Sequence, residues 1–510
     1  MTWRGLPVMA LALLAVAALM LPPAVLALIE RDLHSARAFS QSAGVVGMIG
    51  VAFALARRGH RSRTPARSEI VTVLFMFTVA PLAAALPVLL TAPQLGAFGA
   101  YFEMVSSFTT TGATALPSLE AAPRALHLWR AMTAWFGGFA ALTAAVAVFA
   151  PRNLGGYEVQ AAERRGPVGR LGGGPSWSRS DSPDEGGARL ARAVSVVAPV
   201  YAGLTLALAL IFAALGMPGL RAAIHAIGIM STSGVSMDGG GFRSGAGAGA
   251  EVVALAFLTL AASRHVFAAG SRRGLARRLR RDPELELALI AVAVAAGWIF
   301  IRHWLHAADA AAPGGDGAWV RAAWGAVFTA ASFLSTTGYV SDSWTATETW
   351  SGSSGAGLLF LALATMGGGV ASTAGGVKLL RAYALYQHGM RELDTLSKPS
   401  LVARKGAGVR RVGFAGAVLA WLFVMLYALG VCTVVLGLSV TGAPLDQAFA
   451  AAIAAIANTG PAYAMALGAG AAGFSDYGAA GQLILCFAMV LGRVEILAVV
   501  ALTNPDYWRR

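Results

Sequence analysis

Phe333-Leu334-Ser335-Thr336-Thr337-Gly338-Tyr339-Val340 is a small polar turn between apolar segments, and the chain repeats nearly the same pattern three more times. The other copies are Ser107-Phe108-Thr109-Thr110-Thr111-Gly112-Ala113, Met230-Ser231-Thr232-Ser233-Gly234-Val235 and Ile456-Ala457-Asn458-Thr459-Gly460-Pro461. A single cluster of hydroxyls and glycine is ordinary chain punctuation. Four of them, spread over most of the sequence, point to four copies of one unit. Ahead of each turn stands an apolar stretch too short to cross a bilayer, at 98–107, 220–230, 324–334 and 448–457. Each is expected to form a half-length helix that enters the membrane and stops.

The setting is a membrane. Of 510 residues, 57% are hydrophobic and only 13% charged, with a mean hydropathy of +0.65, whereas soluble chains are about a quarter charged. Several runs reach the roughly 20 apolar residues that cross about 30 Å of hydrocarbon, among them 71–90, 191–215, 285–301 and 415–440. The first run, 6–29, is longer than the apolar part of a signal peptide and is followed closely by a second, 43–56, so it reads as a retained span. The net charge of +14 does not describe a nucleic-acid surface. Most basic residues fall within 57–67, 152–192, 272–281 and 378–411 and at the C-terminus, one set of loops that the positive-inside rule makes cytoplasmic together with both termini. The same count puts the four half-helices on the outer side. Cys432 and Cys486 lie in apolar segments without metal-like spacing and are expected to be packing residues.

The expected architecture is an all-α polytopic membrane protein with four span–pore-loop–span repeats in pseudo-fourfold arrangement. An N-terminal two-helix hairpin precedes them, giving about 10 transmembrane helices and 4 re-entrant half-helices. The expected divisions are the hairpin at 1–69, pore repeat 1 at 70–155, a cytoplasmic linker at 156–190, repeat 2 at 191–281, repeat 3 at 282–411 and repeat 4 at 412–510. The insert at 155–187, rich in Gly, Ser, Pro and Asp, reads as a linker rather than a domain.

Irregular backbone at membrane depth is tolerated only where it is buried in protein or lines a water-filled cavity. Four such loops on one axis can supply rings of carbonyls that replace the hydration shell of a monovalent cation. The candidate ion-binding residues are Thr110, Thr111, Gly112, Thr232, Ser233, Gly234, Thr336, Thr337, Gly338, Asn458, Thr459 and Gly460. Glycine suits the strained backbone that turns successive carbonyls one way. The hydroxyls add ligands or anchor the loop from behind, and the half-helices aim their negative ends at the cavity.

Within 358–380, long enough to span, Gly367, Gly368, Gly369, Gly375 and Gly376 surround Ser372 and Thr373. Each glycine costs roughly 1 kcal/mol against alanine in a helix, which predicts a broken helix with an irregular loop. Lys378 ends this segment and, from its position, snorkels with Arg381 to the interface. Arg493 lies inside the last span, where a charge costs about 2.5–3.5 kcal/mol and faces a cavity or a partner. Two roles are open to it: a positive barrier in the pore, or a structural ion pair with Glu495 or Glu103.

The residues also carry a resemblance. Leu128-Trp129-Arg130, Trp135-Phe136-Gly137-Gly138, the run Met366-Gly367-Gly368-Gly369-Val370-Ala371-Ser372-Thr373-Ala374-Gly375-Gly376-Val377-Lys378, and Leu491-Gly492-Arg493-Val494-Glu495 are similar to the Trk/Ktr/HKT superfamily of potassium transporters. With its leading hairpin and terminal Pro505-Asp506-Tyr507-Trp508-Arg509, the chain resembles the TrkH branch over essentially its whole length. The resemblance implies potassium uptake across the bacterial inner membrane, with one glycine per filter loop, a gating loop that includes Lys378, and K+ as the transported ion. It also implies a homodimer and a cytosolic, nucleotide-binding TrkA-type regulatory subunit, with no cofactor in this chain. The chain departs from the family pattern in Gly369-Val370-Ala371-Ser372 and in Thr232-Ser233-Gly234.

The competing function is an H+- or Na+-coupled cation symporter with alternating access, a class that also uses broken helices. Carriers show inverted or paired repeats, whereas this unit recurs four times in one orientation. An enzyme is not expected, because His-Glu-x-x-His, Gly-x-Ser-x-Gly and a Gly-Lys dipeptide are absent from the sequence.

Overall fold

The computed structural model describes residues 8–57, 65–150, 185–238, 241–242, 247–261, 282–306, 317–351, 356–370, 372–397, 414–468, 473–494 and 496. Among these residues regular structure is helical, apart from one isolated bridge between Gly241 and Val340. Helices α1 (Val8–Leu19), α2 (Leu21–Ile29) and α3 (Leu33–Ala56) form the leading hairpin. Repeat 1 contributes α4 (Pro65–Thr91), α5 (Gly96–Phe108) and α6 (Arg124–Ala144), and repeat 2 contributes α7 (Glu185–Ala214), α8 (Gly219–Met230) and α9 (Ala248–Ala261). Repeat 3 contributes α10 (Pro283–His306), α11 (Ala318–Leu334), α12 (Trp344–Ser351), α13 (Gly357–Met366) and α14 (Leu379–Ser397). Repeat 4 contributes α15 (Phe414–Val440), α16 (Leu445–Ile456), α17 (Pro461–Leu467) and α18 (Gly478–Val494).

Eight helical stretches among the described residues are long and apolar enough to cross a membrane, with α1 and α2 together forming one (Val8–Ile29) and α18 extended back to Phe474. Two further spans expected from the sequence are seen differently. Helix α9 is described only as far as Ala261, and α13 stops at Met366, where the glycine run begins. The insert at 155–187 lies largely outside the described residues, although α7 already starts at Glu185.

The hairpin shows why an apolar run underestimates a helix. The second span was expected at 43–56, yet α3 begins at Leu33. Polar His34, Arg37, Ser40 and Gln41 hide its first turns from a hydropathy count. The Asp32 side chain starts the helix by accepting from Ser35 N at 3.1 Å. Between α1 and α2 the chain breaks at Met20, because Pro22 and Pro23 fit only the first turn of a helix. The hairpin lies on α4 and α6, where the ring of Phe39 meets Trp129 edge-on and the Trp129 indole donates to Ala84 O at 3.1 Å.

The repeats share one packing scheme. Each short helix α5, α8, α11 and α16 lies between the spans of its own repeat. The second span of each repeat also packs on the short helix of the next: α6 on α8, α9 on α11, α13 on α16, and α18 back on α5. This cyclic order closes a pseudo-fourfold bundle. Lipid is as apolar as the helices, so what holds them is close packing of small residues rather than a hydrophobic drive. At Gly137 in α6 the approach is so close that a Cβ would lie 1.9 Å from Phe108 O, and at Gly492 in α18 one would lie 2.0 Å from Ile456 O. Of the two cysteines, Cys486 is buried as expected. Cys432 is exposed on α15, so it does not pack inside the bundle.

Candidate functional site

All four short helices end in the same way. A non-glycine residue takes the left-handed conformation: Thr110 (φ 55°), Thr232 (φ 52°), Thr336 (φ 60°) and Asn458 (φ 54°). Its amide bonds back three residues, Thr110 N to Ser107 O, Thr232 N to Ile229 O, Thr336 N to Phe333 O and Asn458 N to Ala455 O, at 2.9–3.1 Å. The next amide bonds back five residues, Thr111 N to Ser106 O, Ser233 N to Gly228 O, Thr337 N to Ser332 O and Thr459 N to Ala454 O, at 2.8–2.9 Å. This is the Schellman helix end, which usually carries glycine at the left-handed position. Threonine there costs about 1–2 kcal/mol, asparagine less, and four equivalent sites bear that strain.

Two residues further on stand the four glycines. Gly112, Gly234 and Gly338 have φ of 73°, 62° and 78°. Gly460 departs from the expectation of strained backbone, with φ −53° as the cap of α17, whose proline at the first position fixes a helical start. Its glycine is required by proximity instead, since a Cβ would lie 2.3 Å from Ala113 N.

The glycines are where neighbouring loops touch. A Cβ on Gly112 would meet Ser233 O at 2.0 Å, one on Gly234 would meet Thr337 O at 2.0 Å, and one on Gly338 would meet the Pro461 ring at 3.0 Å. Gly460 N donates to Thr111 O at 2.6 Å and closes the circle. The candidate residues Thr110, Thr111, Thr232, Ser233, Thr336, Thr337, Asn458 and Thr459 are all at most 1% exposed.

Their side chains are hydrogen-bonded within the protein. Hydroxyls flanking the left-handed residue pair with each other: Thr109 with Thr111 at 2.7 Å, Ser231 with Ser233 at 3.0 Å, Ser335 with Thr337 at 3.1 Å. The fourth loop has Ala457 at that place. There Asn458 Nδ2 donates to Thr111 Oγ1 at 3.1 Å and to Met489 O at 2.9 Å, tying loop 4 to loop 1.

Among the described residues of the glycine run, 367–370 and 372–376, the chain is a loop, as the propensities predict. Gly367 (φ 71°) ends α13, and Gly376 (φ 75°) lets the chain return, with Val377 N on Thr365 O at 2.8 Å and Lys378 N on Met366 O at 3.0 Å. The loop lies against the ends of the short helices. Gly375 N donates to Thr336 Oγ1 at 2.8 Å, Thr373 Oγ1 donates to Met230 O at 3.4 Å, and a Cβ on Gly375 would meet Ala457 O at 2.1 Å. Ser372 Oγ closes its own turn onto Gly369 O at 2.6 Å, and Glu284 accepts from Val370 N at 3.3 Å. Gly368 O receives Leu379 N at 3.1 Å.

The charges correct two expectations. Lys378 and Arg381 do not snorkel: both are buried, Lys378 Nζ donating to Ala374 O, Arg381 donating to Val377 O at 3.2 Å with its guanidinium 3.6 Å from the Phe423 ring centre. Backbone carbonyls and an aromatic face stand among the groups that replace water around them. Arg493 does not pair with Glu103, which pairs with Arg130 at 2.5 Å; Glu495 lies outside the described residues. Arg493 instead donates to Thr110 Oγ1 at 2.8 Å and to Thr373 O, bridging loop 1 and the glycine loop.

Of the buried carboxylates, sequence reasoning named Glu103 only as a partner for Arg493 and passed over Glu251. Glu103, apart from its arginine, accepts from Ala115 N at 2.9 Å and Thr114 Oγ1 at 3.1 Å, holding the segment that leaves loop 1. Glu251 in α9 is bonded to residues beyond loop 3. Their signal was available, since an acid inside an apolar segment marks a functional or structural site.

Four strained helix ends joined in a ring, with a glycine loop and a buried arginine against them, define a polytopic membrane protein with a central site of irregular backbone. A family model described as "TrkH: Cation transport protein" matches residues 287–509. The Trk system potassium uptake protein TrkH of Halomonas elongata is 30% identical over 99% of this chain and 99% of its own length. The Trk system potassium uptake protein TrkI of the same organism is 30% identical over 99% and 96%. The crystal structure of the potassium transporter TrkH from Vibrio parahaemolyticus superimposes with a TM-score of 0.79 at 26% identity, covering 100% of both chains. The chain belongs to the TrkH family.

Proposed function

We propose that this protein takes up potassium across the bacterial inner membrane by gated, channel-like permeation through the ring of four loops. One observation carries the proposal: four equivalent strained helix ends meet in cyclic order, with a glycine at each seam. Backbone carbonyls of the segments Thr110–Gly112, Thr232–Gly234, Thr336–Gly338 and Asn458–Gly460 replace the water around the ion. The negative ends of α5, α8, α11 and α16 stabilise the dehydrated charge. The hydroxyl and amide side chains act from behind, a reading that their hydrogen bonds to one another support.

The loop at 367–378 obstructs the path on the side of the helix ends and moves to let ions pass, with Gly367, Gly368, Gly369, Gly375 and Gly376 as its hinges and Ser372, Thr373 and Lys378 as its fasteners. Arg493 adds a positive barrier beside it. Inward movement is driven by the membrane potential, about 2.3 kcal/mol per charge per 100 mV. The names of the relatives support potassium as the ion. The basic loops support cytoplasmic termini, and the family supports a homodimer working with a cytosolic TrkA-type nucleotide-binding subunit.

The test is growth of a potassium-uptake-deficient bacterium at low potassium. The unsubstituted protein is expected to restore growth and Gly338→Ser to restore it poorly. Failure of the unsubstituted protein, with its presence in the membrane confirmed, counts against potassium uptake.

A further inference from the structure

We infer that Glu251 is a positioning residue for ion selectivity: from repeat 2 it holds the outer arm of the third loop and fixes the seam between loops 2 and 3. This rests on the permeation proposed above. Glu251 stands in the first turn of α9, in an otherwise apolar helix, and is 2% exposed. Its carboxylate accepts from Asp342 N at 2.7 Å, from Ser341 Oγ at 2.9 and 3.0 Å, and from the Trp324 indole at 2.5 Å. The partial positive charge at the start of a helix favours the carboxylate there.

The placement of these donors gives the carboxylate its role. Trp324 belongs to α11, the helix that leads into loop 3, whereas Ser341 and Asp342 follow Gly338 on the arm that leads out. One carboxylate of repeat 2 therefore ties both sides of the repeat 3 loop. The rest of the arm is held to the same repeat. Tyr339 Oη donates to Val235 O at 2.8 Å, and Phe242 N donates to Val340 O at 2.8 Å. Every residue from Tyr339 to Asp342 thus has a bond into repeat 2, beside the point where Gly234 admits Thr337 O. Loop 1 is gripped at the equivalent residue, Ala115, but by Glu103 of its own repeat. Repeat 3 has threonine at the place of Glu103: Thr329 Oγ1 accepts from Ser341 N at 3.3 Å. Glu251 supplies the carboxylate that repeat 3 lacks, and does so across a seam.

Discrimination between monovalent cations is set by the size of the carbonyl cage or by the number and field strength of its carbonyls; both follow from where the loops are anchored, and a binding constellation tolerates only about 0.5 Å of slack. Releasing the arm should widen the seam and admit sodium. The experiment measures rubidium and sodium flux into proteoliposomes holding the full-length protein, with thermal unfolding as a folding check.

Glu251→Gln keeps the shape but turns an amide donor toward the Trp324 indole donor. It is expected to lower the rubidium-to-sodium ratio about tenfold, the equivalent of ~1.4 kcal/mol. Adding Trp324→Phe removes the opposing donor and should restore most of the ratio, which general loosening of the bundle would not do. Ser341→Ala, milder and expected to fold even if Glu251→Gln does not, should lower the ratio by a smaller factor. An unchanged ratio in Glu251→Gln and Ser341→Ala, or no recovery in the double variant, overturns the role. An unsubstituted protein that carries neither ion defeats the permeation proposal itself, and this role with it.

Discussion

Replacing Gly234 by alanine puts a methyl group where the ring has no room. The residue has φ 62°, so an L side chain there costs about 1–2 kcal/mol before any contact is counted. The new Cβ would lie 2.0 Å from Thr337 O. An ordinary C···O contact is about 3.3 Å, so the carbonyl must retreat by about 1.3 Å. That exceeds by more than twofold the roughly 0.5 Å that a binding constellation tolerates. The arm beyond Gly338 cannot give way easily, because Tyr339 and Val340 are bonded to Val235 and Phe242.

The expected result in proteoliposomes is a loss of rubidium flux, or of its preference over sodium, of about tenfold or more, a factor that ~1.4 kcal/mol suffices to produce. Gly112→Ala, 2.0 Å from Ser233 O, should match it. Gly338→Ala should be milder, because its nearest neighbour is the Pro461 ring at 3.0 Å rather than a carbonyl. Normal flux and normal preference in a folded Gly234→Ala protein would refute the reasoning from seams.

Three further substitutions test the parts around the ring. Arg493→Ala frees Thr110 Oγ1 and Thr373 O and removes the buried charge, so unitary conductance should rise; unchanged conductance removes the barrier role. Thr336→Val leaves the buried Gly375 N–H without its acceptor, at a cost of about 1–3 kcal/mol to the seated loop. Basal flux should then rise by about tenfold, where ~1.4 kcal/mol is a factor of ten, and unchanged or reduced flux would speak against Thr336 holding the loop in place. Gly137→Ala forces α6 away from Phe108 O, where its Cβ would stand at 1.9 Å, and should lower the thermal midpoint of the detergent-solubilised protein with little effect on ion preference among molecules that fold.

What could be read from the sequence was what repeats or what a single residue type dictates. The four hydroxyl-glycine turns placed the ends of α5, α8, α11 and α16 to within about a residue or two, the margin expected of any helix boundary. The glycine cluster stopped α13 at Gly367 because helix propensity is a local property. What escaped depends on approach between distant segments. Pro461 beside it marks Gly460 for a helical start, but its need for glycine comes from Ala113, far away in the chain.

The burial of Lys378 and Arg381 was hidden for a similar reason, since a cation near the end of an apolar run looks the same whether it reaches water or a carbonyl and a Phe423 ring. The polar first turns of α3 concealed a helix that an Asp32 cap begins. Glu103 and Glu251 were visible as acids in apolar stretches, but their partners at Ala115, Ser341 and Asp342 follow from the bundle, not from spacing.

The central claim is that backbone carbonyls of the four loops hold the ion. Crystals of the full-length protein soaked in rubidium or thallium, with anomalous scattering recorded, test it most directly. The account predicts a peak on the common axis of the four loops, within carbonyl-ligand distance of residues from each of 110–112, 232–234, 336–338 and 458–460. Bound ions found elsewhere along the bundle, with no peak among these four segments, would contradict it.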